Sequence, residues 1–150
     1  MAVTQIEEET QKLIAILGGP KVFPIRIRNT LDLQSALRNG FPYETFEAVL
    51  DVLGLNSATL ARFVGVASRT LARRKTSRLL SPIESDRLYR LAFVALRASD
   101  VLGSEKKARM WLHQSNQALG GETPISQLDT EIGERRVEDL LYRINYGIVS

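Results

Sequence analysis

Apolar residues recur at the α-helical period through most of the chain and alternate in only one short stretch. Residues 1 to 20 place Ile6, Leu13, Ile14 and Leu17 on one side of a short helix, which Gly18-Gly19-Pro20 closes. This first segment is expected to be an arm loosely attached to the rest. Pro24 to Arg28 alternates apolar and basic residues, a pattern shared by a small strand and a linker, and five residues do not decide between them. A helix from about Leu31 to Arg38 follows, with Thr30 as its cap and Asn39-Gly40 as its terminator.

Pro42 suits the first turn of another helix, whose inward residues are Phe46, Val49, Leu50 and Leu53, and Gly54 ends it. Asn56 or Ser57 caps the next, which turns Leu60, Phe63 and Val64 inward; Gly65 then supplies the positive φ of a tight turn. Ser68 is expected to cap a helix from about Arg69 to Thr76 that buries Leu71 and turns its arginines outward. Ser81-Pro82 with Glu84 is a strong helix start, followed by an inward stripe of Leu88, Leu91, Ala92, Ala95 and Leu102. Ser104 and Glu105 open a further helix, with Ala108, Trp111, Leu112 and Leu119 facing in and Gly120-Gly121 closing it; Trp111 reads as a core aromatic. The last helix carries Val137, Leu140, Leu141 and Ile144. The expected class is all-α, with a helix-turn-helix bundle in the first half and a small helical domain in the second.

Composition narrows the partner more than the fold. Hydrophobic residues make up 44% and charged residues 25% of 150 positions, the balance of a globular chain of one ordinary or two very small domains. Cysteine is absent, so disulfides and thiolate metal sites are excluded. Glu7, Glu8 and Glu9 stand where a secretory leader would be basic, and no apolar run approaches the ~18 residues of a membrane span. A cytoplasmic protein with no membrane association is expected. The net charge of +3 is concentrated at mid-chain. Between Ser57 and Leu80 stand Arg62, Arg69, Arg73, Arg74, Lys75 and Arg78, with no Asp or Glu among them. A polyanion is the natural partner of such a stretch.

Two short helices joined through Gly65-Val66-Ala67 have the layout of a helix-turn-helix, with Ala61 small enough for the second helix to cross close to the first. A helix fits the major groove, and residues at its N-terminal end meet base edges. Ser68, Arg69, Thr70 and Arg73 are therefore placed at the DNA, and Arg74, Lys75 and Arg78 at backbone phosphates. An ordinary basic face on a helical domain is the competing explanation of the same pattern.

Catalysis finds little support. His113 is the single histidine, so a multi-histidine metal site is impossible and a Ser-His-Asp triad would rest on this one residue. Asp129, Glu131 and Glu134 cluster where negative charge suits a helix N-terminus, and neither glycine pair matches a phosphate-binding loop. No catalytic residue, metal or cofactor is expected.

Leu55 to Arg74 resembles Xre-type helix-turn-helix proteins. Gly120-Gly121-Glu122-Thr123-Pro124, then Leu128-Asp129-Thr130, Gly133 to Val137, Leu140-Leu141, Arg143-Ile144 and Tyr146-Gly147 resemble the toxin-binding domain named for the MbcA, ParS and Xre antitoxins. Together these matches span about residues 31 to 150. The resemblance implies three stretches: a variable arm over 1–30, a DNA-binding domain over 31–80, and a dimerisation and toxin-binding domain over 81–150. It also implies an antitoxin that represses its own operon at operator DNA and neutralises a RES-domain toxin, an NAD-consuming enzyme similar to ADP-ribosyltransferases. The antitoxin itself would bind no NAD. It would form a homodimer and, with the toxin, a larger hetero-oligomer. The end of the chain would block the toxin's cofactor cleft, through residues among Ile144, Tyr146, Gly147, Ile148, Val149 and Ser150. Ile148 and Val149 fit that role, because too little chain follows them to fold back over them; a frayed terminus is the other explanation. A stand-alone repressor whose last helices only dimerise is the alternative function.

Overall fold

The computed structural model describes residues 2–24 and 26–148. Among them the chain is helical, as its periodicity predicts: α1 (Ala2–Ile16), α2 (Thr30–Asn39), α3 (Glu44–Leu53), α4 (Ser57–Val64), α5 (Ser68–Ser77), α6 (Pro82–Leu102), α7 (Glu105–Leu112) and α8 (Glu131–Asn145). Short 3₁₀ turns at Gln117–Leu119 and Ile125–Asp129 lead from α7 into α8.

The centre of the fold is α6. Its start is fixed by a reciprocal capping box, in which Ser81 Oγ accepts from the Glu84 amide at 3.2 Å and Glu84 Oε1 accepts from the Ser81 amide at 2.9 Å. Pro82 occupies the first helical position, where no amide is needed. Leu88, Leu91, Ala92, Val94, Ala95, Leu96 and Ala98 are all buried, so the helix is apolar round most of its circumference. It accordingly packs against α1, α2, α3, α4, α7 and α8. Each buried leucine contributes about 1.5–3 kcal/mol relative to exposure, and the alanines let neighbouring helices approach closely.

The expected loose arm is part of this core. Leu13, Ile14 and Leu17 of the first segment are buried, with Leu17 wholly inaccessible, and α1 packs on α6, α2 and α3. Gln11 Nε2 adds a hydrogen bond of 2.9 Å to the Ile27 carbonyl oxygen, so the segment after the helix is tied to it. Only Ile6 of the expected stripe stays exposed. Residues 26–28 are irregular chain with Ile27 buried, which settles the alternating stretch in favour of a connection over its described residues.

Boundaries shift where side chains compete for the cap. Asn29, not Thr30, caps α2 by accepting from the Asp32 amide at 2.9 Å. Pro42 does not open α3, because it is held in an isolated antiparallel bridge to Leu79. Tyr43 N donates to the Arg78 carbonyl at 3.0 Å and Leu80 N to the Phe41 carbonyl at 2.9 Å, so the chain before α3 runs beside the link from α5 to α6. Gly40 is required at this junction, since its φ is +92° and a Cβ there would overlap the Leu80 carbonyl oxygen.

The helix that begins at Glu105 stops at Leu112 rather than continuing to Leu119. Asn116 starts the following 3₁₀ turn by accepting from the Ala118 amide at 3.0 Å. The His113 ring instead reaches across to α3, with Nε2 2.8 Å from the Leu53 carbonyl oxygen, and Arg109 Nη1 donates to the Asp51 carbonyl at 3.2 Å. These are the carbonyls that a helix C-terminus leaves without intrahelical partners. His113 therefore joins the two halves of the fold. Trp111 is half-buried against the core instead of enclosed in it.

The buried hydroxyl of Thr45 has no hydrogen-bond partner among the described residues. Replacing it by the near-isosteric Val removes a desolvated polar atom, so Thr45→Val is expected to stabilise the protein by about 1 kcal/mol. Thermal denaturation checks this; a lowered Tm would show that the hydroxyl is satisfied in solution.

Candidate nucleic-acid and partner interfaces

The turn between α4 and α5 is built round one glycine. Gly65 has a φ of +79°, which disfavours any side chain, and a Cβ there would collide with the Arg87 guanidinium. Arg87, on α6, uses that space to donate from Nη1 to the Val64 carbonyl oxygen at 2.7 Å. Val66 N donates to the Ala61 carbonyl at 2.8 Å, and both residues are buried. The turn is thus closed by a backbone hydrogen bond onto the buried Ala61.

Ser68 does not cap α5. The cap position falls on Ala67, which makes no side-chain bond there, and Ser68 is the first helical residue. It is exposed, as are Arg69, Arg73 and Lys75, while Thr70 and Leu71 are half-buried. No residue of α5 is fully buried, so the helix presents most of its surface outward. Arg69 and Arg73 stand one turn apart on one face, and among the described residues neither they nor Lys75 are paired with a carboxylate.

The remaining two arginines are engaged within the protein. Arg74 forms a forked pair with Glu84, with Nε to Oε1 at 3.0 Å and Nη2 to Oε2 at 3.3 Å. Burial works against the Glu84 charge, yet the bonds from Arg74 and Ser81 outweigh it and hold the carboxyl below its ordinary range. Arg78 closes α5 in the left-handed conformation, with φ +67°, and pairs with Glu44. Local pattern reads both as outward-facing cations because their partners lie on other helices. The pairing of Glu84 with Arg74 and the role of Arg87 have no local signal for the same reason; the spacing from Ser81 to Glu84 marks only the cap.

The second surface lies between α6 and α8. Phe93, Arg97 and Val101 face Glu138, Tyr142 and Tyr146 across a groove of about 460 Å³. Arg97 lies over the Phe93 ring at 4.9 Å, and the Tyr142 and Tyr146 rings are 4.6 Å apart. Beyond them α8 ends in a left-handed turn at Gly147, where Gly147 N donates to the Ile144 carbonyl at 3.1 Å and Ile148 N to the Arg143 carbonyl at 2.9 Å. Of the residues placed at a partner, Ile144 packs partly on the core, while Tyr146, Gly147 and Ile148 are exposed. Val149 and Ser150 lie outside the described residues. Tyr142, 61% exposed, belongs with this face and was not anticipated, although its spacing of four from Tyr146 is the helical signal for it.

An acidic group borders the groove. Burial between α6 and α8 pushes the Glu134 carboxyl up to about 7; Arg90 opposes the shift, and Glu138, Glu131 and Asp86 add to it. A carboxyl whose folded value is raised binds more protons folded than unfolded, so stability falls as pH rises from about 4.5 through about 7. Glu134→Gln is expected to raise Tm above the parent chain's at pH 8, with little difference at pH 4.5. A gap independent of pH would exclude titration of this group.

Residues 32–92 match the family described as the antitoxin Xre-like helix-turn-helix domain. Residues 97–147 match the antitoxin Xre/MbcA/ParS C-terminal toxin-binding domain. An antitoxin Xre of Yersinia enterocolitica is 32% identical over 120 residues, which cover 79% of this chain and 81% of the relative. The antitoxin Xre of Photorhabdus laumondii matches to the same extent, and that of Pseudomonas putida is 38% identical over 80 residues, 53% of this chain and 50% of the relative. The fold is similar to the crystal structure of the Mycobacterium tuberculosis MbcT-MbcA toxin-antitoxin complex, with TM-score 0.53 and 23% identity over 72% of this chain and 96% of that one. Fold and matches together define a helix-turn-helix protein extended by an antitoxin-type C-terminal domain. The chain belongs to the Xre/MbcA/ParS family of antitoxins. The relatives are antitoxins, regulatory rather than catalytic proteins, and among the described residues no helix is long and apolar enough to cross a membrane.

Proposed function

We propose that this antitoxin neutralises a RES-type, NAD-consuming toxin by covering its cofactor cleft, and represses its own operon by setting α5 into operator DNA in the cytoplasm. The observation that carries the second activity is the exposure of α5: a helix with no buried residue, held at its turn by Arg87, offers Ser68, Arg69, Thr70 and Arg73 at its leading end. Arginine can pair both acceptors of a guanine, each good pair discriminating by about 1–3 kcal/mol. Lys75 faces the phosphates. Arg78, tied to Glu44 yet largely exposed, can reach a phosphate only by sharing or leaving that carboxylate.

The toxin-facing reading is supported by the family match over residues 97–147 and by the exposed Tyr146 and Ile148 at the end of α8. The Mycobacterium tuberculosis relative is an antitoxin in complex with its toxin. Residues 31–80 would serve DNA and residues 81–150 dimerisation and the toxin, with Val149 and Ser150 completing the blocking segment. A dimer would match an inverted repeat with half-sites about 34 Å apart or a multiple of that spacing.

Two experiments separate the activities. In a gel shift on a duplex carrying the DNA upstream of the gene, Arg69→Ala with Arg73→Ala is expected to weaken binding by about 100-fold or more, while toxin neutralisation persists. Equal loss of both activities would contradict the division. Deleting residues 146–150 is expected to release toxicity in cells co-expressing the toxin and to leave the gel shift unchanged; continued protection would mean the tail does not fill the cleft.

A further inference from the structure

Leu71 is the only large apolar side chain of α5, and it is half-buried. Apolar burial alone therefore gives this helix little to fix its angle. Polar contacts to α6 take that role. The Arg74 fork reaches the carboxylate of Glu84, a residue only 8% exposed, and that carboxylate is itself held by the Ser81 amide at 2.9 Å. One helical turn further along α6, Arg87 holds the end of α4 through the Val64 carbonyl. The first two turns of α6 thus grip both helices of the motif, each by an arginine and each at a defined register.

We propose that Arg74, Glu84 and Arg87 are positioning residues for nucleic-acid recognition, setting the angle at which α5 meets the groove without touching DNA themselves. This rests on the reading that α5 binds operator DNA. It removes Arg74 from the phosphate contacts and gives an acidic residue a favourable part in binding a polyanion. The signs separate the two views. As a bare charge near DNA, Glu84 repels phosphate, so its neutralisation would tighten binding. As half of the clamp, its neutralisation frees α5 and weakens binding.

The test uses the full chain carrying Glu84→Gln, Arg74→Ala or Arg74→Lys, with a duplex of the DNA upstream of the gene and a scrambled duplex of equal length. Binding is followed as a function of salt, and Tm identifies any variant that fails to fold. The parent chain is expected to prefer the upstream duplex. Glu84→Gln is expected to weaken that binding about tenfold, with the scrambled duplex little affected, because a tilted helix loses base contacts before phosphate contacts. Arg74→Ala is expected to do the same with an unchanged salt dependence, whereas loss of a phosphate contact lowers the slope by about one and weakens both duplexes alike. Arg74→Lys keeps the charge and loses the fork, so it should resemble Arg74→Ala in specificity. Tighter or unchanged binding by a folded Glu84→Gln, or a slope reduced by about one in Arg74→Ala, overturns the proposal. Failure of the parent chain itself to distinguish the two duplexes instead overturns the operator-binding reading and this proposal with it.

Discussion

Burial of α6 on nearly every side is the constraint from which the rest of the fold follows. A 21-residue helix that is apolar round most of its circumference is stable only if other helices cover it, and α1, α2, α3, α4, α7 and α8 do so. The two family matches meet inside this helix, between residues 92 and 97, so the halves distinguished by sequence share one core. Two parts lie outward of that covering: α5, and the last turn of α8 with the residues after it. The surfaces proposed to meet partners are the parts this core does not enclose.

Cationic side chains finish what apolar packing begins. A helix C-terminus leaves carbonyls without partners and carries partial negative charge. Arg87 meets the end of α4 in this way and Arg109 the end of α3, where the His113 ring also reaches the Leu53 carbonyl. Each contact crosses between elements far apart in sequence. Basic residues in this chain therefore divide between structural use and exposure, and net charge alone does not tell which is which. Arg69 and Arg73 remain exposed on α5, while Arg74, two-thirds of the way along the same helix, is an internal strut.

Legibility in the sequence follows the range of the interaction. Helical periods, the Ser81 to Glu84 capping box and the glycine stops at Gly40, Gly54 and Gly65 are local features, and each appears where expected except that the helix opened by Glu105 ends at Leu112, short of Leu119. Ser68 was misread by one position because the cap is defined by an extended backbone, which Ala67 adopts without needing a hydroxyl. The first segment looked detached because its stop signal says nothing of what covers Leu13 and Leu17. Likewise Arg74, Arg78 and His113 take their roles from Glu84, Glu44 and Leu53, which lie 10, 34 and 60 positions away. The groove beside Tyr142 is the product of two helices, and the spacing of Tyr142 and Tyr146 on α8 marks only one of its walls.

Hydrogen–deuterium exchange of the full antitoxin, measured with its toxin and then with the upstream duplex, addresses the separation of surfaces most directly. Toxin is expected to protect amides at the end of α8 and beyond while leaving the first turns of α5 unchanged, and the duplex is expected to do the reverse. Protection of α5 by the toxin, with the end of α8 exchanging as in the free protein, would contradict the proposed assignment of the two surfaces.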